Sequence, residues 1–167
     1  KGDKASVYVD RLDSQTGNYL PFDNQELPMN GARLPVIEYI QPSENNPHHD
    51  FDGGRLNVQG AAVRGQHLAI SLQLENRIAL FDCQTGKSMG SVDVPSPAGL
   101  AFDQQGALLA ISGSQGVKID LQTKRVTPFV TDRLDTPKRI AVAKDGHRDP
   151  VRIAQRQRCA HGHRRNH

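Results

Sequence analysis

GLAFDQQGALLAIS, residues 99–112, has a milder copy in AAVRGQHLAIS, residues 61–71, and a third beginning in RIAVAKDG, residues 139–146. Ala62, Ala101 and Ala141 are 39 and 40 positions apart, and Gly65, Gly106 and Gly146 are 41 and 40 apart. The segment from Leu68 to Ser71 returns as Leu109 to Ser112 after 41 positions. Three independent markers therefore agree on a repeat of about forty residues.

Each repeat reads as four short strands. In the better copy, GLAF (99–102) runs into the polar turn DQQG, ALLAIS (107–112) follows, and GSQG makes a second turn. VKIDL (117–121) alternates, QTKR turns again, and VTPFV (126–130) closes the unit. The earlier copy offers AAV, HLAISL (67–72), RIALFD (77–82) and SMGSVDV (88–94). Runs of four to six residues are too short to repay helix nucleation, and Gly at the turn ends supplies positive φ without a steric penalty. Four antiparallel strands per forty residues is the pattern of β-propeller blades. The expected first strand is small-residued and lines a channel. The second is apolar on both faces, the third alternates, and the fourth is a polar edge. The expected fold is therefore all-β, an incomplete β-propeller of four-stranded antiparallel blades.

The third turn adds a marker. Asp82-Cys-Gln-Thr-Gly86 matches Asp13-Ser-Gln-Thr-Gly17, and Asp120-Leu-Gln-Thr123 is its shorter form. An Asp there can accept hydrogen bonds from N–H groups two residues on. Residues 1–22 then read as the last strands of a preceding blade, 61–96 and 97–136 as blades, and 137–146 as the start of another. Residues 23–60, with Pro28, Pro35, Pro42 and Pro47, read as an inserted loop in which LPVIEYIQ (34–41) could form a strand. Residues 147–167, HRDPVRIAQRQRCAHGHRRNH, read as a disordered or non-native basic tail, because an apolar strand should follow AKDG there. An open arc of blades leaves strand edges unpaired, and such edges invite aggregation.

Composition agrees with many short strands. Apolar residues make up 36%, with 15 Gly, 10 Pro and no Trp. No apolar run approaches the roughly 20 residues of a membrane span, no signal peptide is visible, and a first residue Lys1 rather than Met suggests a processed product or a fragment. The formal charge of +3 is concentrated at one end: residues 147–167 hold six Arg against one acid, Asp149, and the rest holds 15 basic against 17 acidic residues. A body without a basic stripe is not expected to bind nucleic acid. Cys83 and Cys159 define no disulfide framework and no zinc spacing.

PAGLAFDQQGALLAIS (97–112) resembles the blade opening of NHL repeats, and RIALFDCQTGKSMGSVDV (77–94) resembles the third and fourth strands of YVTN repeats. The resemblance covers roughly residues 59–146 and, more weakly, 5–22. It implies a propeller and favours an extracytoplasmic location, and it is nearly silent on activity. DCQTGKSMG (82–90) also resembles the docking repeat of quinoprotein dehydrogenases, but Gly90 stands where that motif ends in Trp. Gluconolactonase-like propellers share the blade opening and hold a divalent metal with Glu, Asn and Asp. No Glu occupies a first-strand position here, so no metal ligand carries over.

The expected role is a non-catalytic binding scaffold whose face loops receive a protein, glycan or small ligand, with no cofactor. The alternative is a metal-dependent, lactonase-like propeller hydrolase. Tyr39, His48 and His49 in the 23–60 segment are the expected ligand contacts. The cluster from His48 to Asp52 has ligand chemistry, but neighbours in sequence seldom converge on one ion, so no metal site is assigned. Ser71 and Ser112 end strands at matching positions and fit a role in bonding turn backbone, Asp82 and Asp103 fit turn shaping, and His67 opens a buried strand as a structural residue. Cys83, with only Lys87 nearby, reads as an inert thiol.

Overall fold

The computed structural model describes residues 4–23, 33–40, 58–131, 134–135, 137–142 and 151–155. Their strands are β1 (Lys4–Asp10), β2 (Arg33–Ile40), β3 (Val58–Arg64), β4 (His67–Leu72), β5 (Arg77–Asp82), β6 (Ser88–Asp93), β7 (Pro97–Phe102), β8 (Leu108–Ser112), β9 (Gln115–Ile119), β10 (Val126–Val130), β11 (Pro137–Val142) and β12 (Val151–Gln155). A single 3-10 turn, Gln73–Glu75, is the only helical element among the described residues. The protein is all-β. β3-β4-β5-β6 and β7-β8-β9-β10 are four-stranded antiparallel meanders in sequence order, and β1-β2 and β11-β12 are two-stranded antiparallel pairs. Among the described residues no sheet closes on itself, and no helix is long and apolar enough to cross a membrane.

Strand alternation explains how the sheets stack. Successive side chains on a strand point to opposite faces. On β4, Leu68, Ile70 and Leu72 enter a core shared with Phe22 and Leu34, while Ala69 faces a second core. On β5, Ala79 and Phe81 join the first core, and Ile78 and Leu80 join the second. The second core is completed from the next module by Leu100, Leu108, Ala110, Val117 and Ile119. The opposite face of β8, Leu109 and Ile111, meets Ala98 and Ile140 in a third core, with Ile153 packed against it. Sheets and apolar layers thus alternate from one end of the described chain to the other. Ile70, Leu72, Ile78, Leu108, Ile111 and Ile119 are fully buried, each worth about 1.5–3 kcal/mol on transfer from water.

The first strands make the closest contacts between modules, with β7 lying against both β3 and β11. Gly60 stands on Ala98 and Gly99: a Cβ on Gly60 would lie 2.7 Å from the Ala98 carbonyl oxygen and 3.2 Å from Gly99 Cα. Each first strand also carries a register shift at this place, between Val58 and Gly60, between Pro97 and Leu100, and between Pro137 and Arg139. Bulges bend a strand and re-aim its side chains. Here the bulge lets Ala98 face the third core and Leu100, two residues on, the second.

Several expectations need adjustment. The second strands β4 and β8 are buried on both faces as expected, the fourth strand β6 is largely exposed, and its counterpart β10 is half-buried to exposed with no buried residue. The third strand β5 is buried without interruption from Ile78 to Phe81 instead of alternating, because both of its faces meet an apolar layer. Within the segment read as an inserted loop, Arg33–Ile40 forms β2, and β3 opens at Val58, three residues before the boundary placed at Ala61. Within the segment read as a basic tail, Val151–Gln155 forms β12 against β11. Ile153 of this strand packs against the third core, an apolar contact that the Arg- and Gln-rich sequence around it obscures.

Candidate functional site

Turns β3–β4, β5–β6, β7–β8 and β9–β10 lie at one end of the sheets, and their side chains hold that end in shape. In the Asp82 turn, Asp82 Oδ1 accepts hydrogen bonds from the N–H of Gln84 (2.9 Å) and Thr85 (2.8 Å), and Thr85 Oγ1 accepts from Lys87 N (3.2 Å). The Asp120 turn repeats this with Gln122 N (2.8 Å), Thr123 N (3.0 Å) and Arg125 N on Thr123 Oγ1 (3.4 Å). The Asp13 turn repeats it again, with Gln15 N, Thr16 N and Asn18 N. The residue after Thr adopts positive φ in all three: Gly17 (72°), Gly86 (73°) and Lys124 (56°). These N–H donors favour the carboxylate form, so all three aspartates titrate below their ordinary range.

Asp103 is built differently. Its carboxylate is buried, with Oδ1 accepting from Ala107 N (2.8 Å) and Oδ2 paired with Lys118 Nζ at 2.8 Å. Burial raises its pKa, but the Lys118 hydrogen bond and charge and the backbone donors outweigh that, so the net shift is downward. Arg64, at the end of β3, reaches across the module boundary and donates to the carbonyl oxygens of Asp103 and Gln104. Ser112 Oγ donates to Pro95 O (2.8 Å) in the connection between β6 and β7, whereas Ser71 Oγ donates to Gly60 O (3.3 Å) within strand β3 instead of to a turn. Cys83 is half-buried, its Sγ 3.2 Å from Gly65 O.

Between the turns of the two four-stranded modules lies a cleft of about 820 Å³. His67 and Met89 line it from one module; Gln105, Lys118, Arg125 and Thr127 line it from the next. A smaller cavity of about 250 Å³ on the other side of the second module is bordered by Asp103, Lys118, Phe129 and Val142. The Asp103–Lys118 pair therefore separates two openings. Among the described residues no group of three or more His, Cys, Asp or Glu is placed to hold a metal ion.

The cleft was not foreseen from the sequence. Tyr39 lies on β2, where its backbone is paired with Ala5 of β1. His48 and His49 lie outside the described residues. His67, whose place at the opening of a buried strand points to a structural role, also lines the cleft. The repeat alignment held a usable signal, because it places the turns of both modules at one end.

No family model and no curated relative matches this chain. Among solved structures, the hydrazine synthase of Kuenenia stuttgartiensis is similar at 24% sequence identity with a TM-score of 0.49. The match covers 65% of this chain, and this chain spans 30% of that one.

Proposed function

We propose that the four-stranded modules are blades of an NHL- or YVTN-type β-propeller and that the chain serves as a non-catalytic binding scaffold. Its turn-bearing face would receive a protein, glycan or small ligand at the cleft between modules. The observation that carries this reading is the side-by-side packing of β3, β7 and β11 around Gly60 and Gly99, which leaves the modules splayed at their turns. Clefts with a few convergent polar groups are the usual place for ligands. The turns that frame this one are held by their own Asp side chains, which pre-organises the surface. The lactonase-like alternative finds no supporting observation, since β3, β7 and β11 carry no Asp, Glu or Asn.

The test is an amide-resolved NMR titration of the chain with a panel of small sugars, organic acids and peptides, run beside a lactone-hydrolysis assay with added divalent ions. A scaffold gives shifts at Gln105, Gly106, Gln122 and Arg125 and no turnover. Turnover abolished by chelation, or a panel that shifts no amide in these turns, would overturn the proposal.

A further inference from the structure

We infer that the cleft between the two four-stranded modules takes a sugar acid, a polyhydroxylated molecule bearing a carboxylate; this rests on the binding-scaffold reading above. Charge is the first observation. Asp120, the carboxylate in the cleft lining, is already occupied by Gln122 N and Thr123 N, and Asp103 behind Lys118 is occupied by Lys118 and Ala107 N. The cations around it are not matched to the same degree. Arg64 spends its guanidinium on two backbone carbonyls, which leaves its charge uncompensated. Lys124 Nζ lies at the module boundary, 2.9 Å from where a Gly90 Cβ would sit, next to Met89 of the lining. The Arg125 side chain lines the cleft and has no hydrogen-bond or ion-pair partner among the described residues. With Lys118 neutralised by Asp103, Arg64, Lys124 and Arg125 stand against the carboxylates of Asp120 and of Asp82 beside His67, an excess of positive charge that favours an anion.

The kind of anion follows from the remaining lining. A guanidinium presents a planar fork that matches a carboxylate with two parallel hydrogen bonds. Gln105, Gln122 and Thr127 add neutral donors and acceptors suited to hydroxyl groups, and Met89 and Leu121 add apolar surface for the C–H face of a ring. Among the described residues no Phe, Tyr or Trp lines the cleft and the His67 imidazole is its one aromatic ring, so it offers little stacking surface for a nucleobase. Its volume of about 820 Å³ is large enough for a disaccharide.

The test titrates the chain with digalacturonate, with the neutral disaccharide of galactose, and with inorganic phosphate, all at equal ionic strength, following the amides of residues 103–107 and 120–125. Arg125→Gln removes the free guanidinium from an exposed position, and Arg77→Gln, at the opposite end of the first module, is the control. Digalacturonate should bind, Arg125→Gln should weaken it by about tenfold, and Arg77→Gln should leave it unchanged. Added salt should weaken binding in parallel. Equal binding of the neutral disaccharide, or equal affinity in Arg125→Gln and the parent chain, would overturn the sugar-acid assignment while leaving the scaffold reading intact. Phosphate binding as tightly as digalacturonate would also overturn it, because the cleft would then read charge alone. Absence of any shift with all three overturns the inference, and the scaffold reading falls with it only if the broader ligand panel is silent too.

Discussion

Gly99 and Arg139 meet backbone to backbone: a Cβ placed on Gly99 would lie 2.7 Å from Arg139 Cα and 2.8 Å from the Lys138 carbonyl oxygen. Gly60 meets Ala98 and Gly99 in the same way one repeat earlier. Real Cβ atoms do not approach backbone so closely, and neither neighbour is a side chain that can swing away. Gly60→Ala and Gly99→Ala should therefore each force two modules apart and cost about 1–3 kcal/mol, as overpacking does. Chemical denaturation of the two variants checks this. Gly65→Ala, at φ +56° with open space around it, carries only a local backbone penalty of about 1 kcal/mol. If all three cost the same, the contact between first strands has no special weight.

Leu108 is fully buried in the apolar layer between the two four-stranded sheets. Leu108→Ala should cost about 2–5 kcal/mol, the transfer term plus a cavity. Val63, on β3 and 61% exposed, should tolerate Val63→Ala within about 0.5 kcal/mol. Urea midpoints with unchanged slopes are the readout.

The aspartates at positions 13, 82, 103 and 120 all titrate below their ordinary value of 3.8 in the folded chain. A depressed carboxyl pKa means that the folded state binds protons less readily than the unfolded one. The stabilisation is then complete above the unfolded value and is lost as pH falls through the folded values. Stability should be level from neutral pH to about pH 5 as far as these groups are concerned, then decline. Denaturation midpoints across that range report it. A decline that begins well above pH 5 would have to come from other groups.

Lys118→Met leaves the buried Asp103 carboxylate with its backbone donors but without its cation. Desolvation then acts with less opposition, so the Asp103 pKa should rise and the chain should lose about 1–2 kcal/mol at neutral pH. Carbon-detected NMR of the Asp103 carboxyl gives the shift directly. A carboxyl that titrates unchanged would mean that Lys118 is incidental to the turn.

The period, the strands within it and the Asp-x-Gln-Thr turns were legible because each is local: alternation, Gly placement and a capping carboxylate act within a few residues. The uninterrupted burial of β5 was less legible, since it depends on an apolar layer on each of its faces. β12 was hidden by an Arg- and Gln-rich setting in which Ile153 still finds the core of Ala98, Leu109 and Ile111. The cleft was the least legible feature. His67 and Met89 come from one repeat, Lys118 and Arg125 from the next, and no spacing rule within a repeat brings them together.

Stacking through the first strands is tested most directly by proton NOEs between modules. Gly60 should show cross-peaks from its Hα protons to Gly99 Hα and the Leu100 amide, and Gly99 should show them to Arg139 Hα and the Ile140 amide. The ladder peaks of β3–β4 and β7–β8 should be seen in the same spectrum. Ladder peaks present with the Gly60–Gly99 and Gly99–Arg139 peaks missing would mean that the sheets form but do not pack through these strands, and the cleft and its proposed ligand would lose their basis.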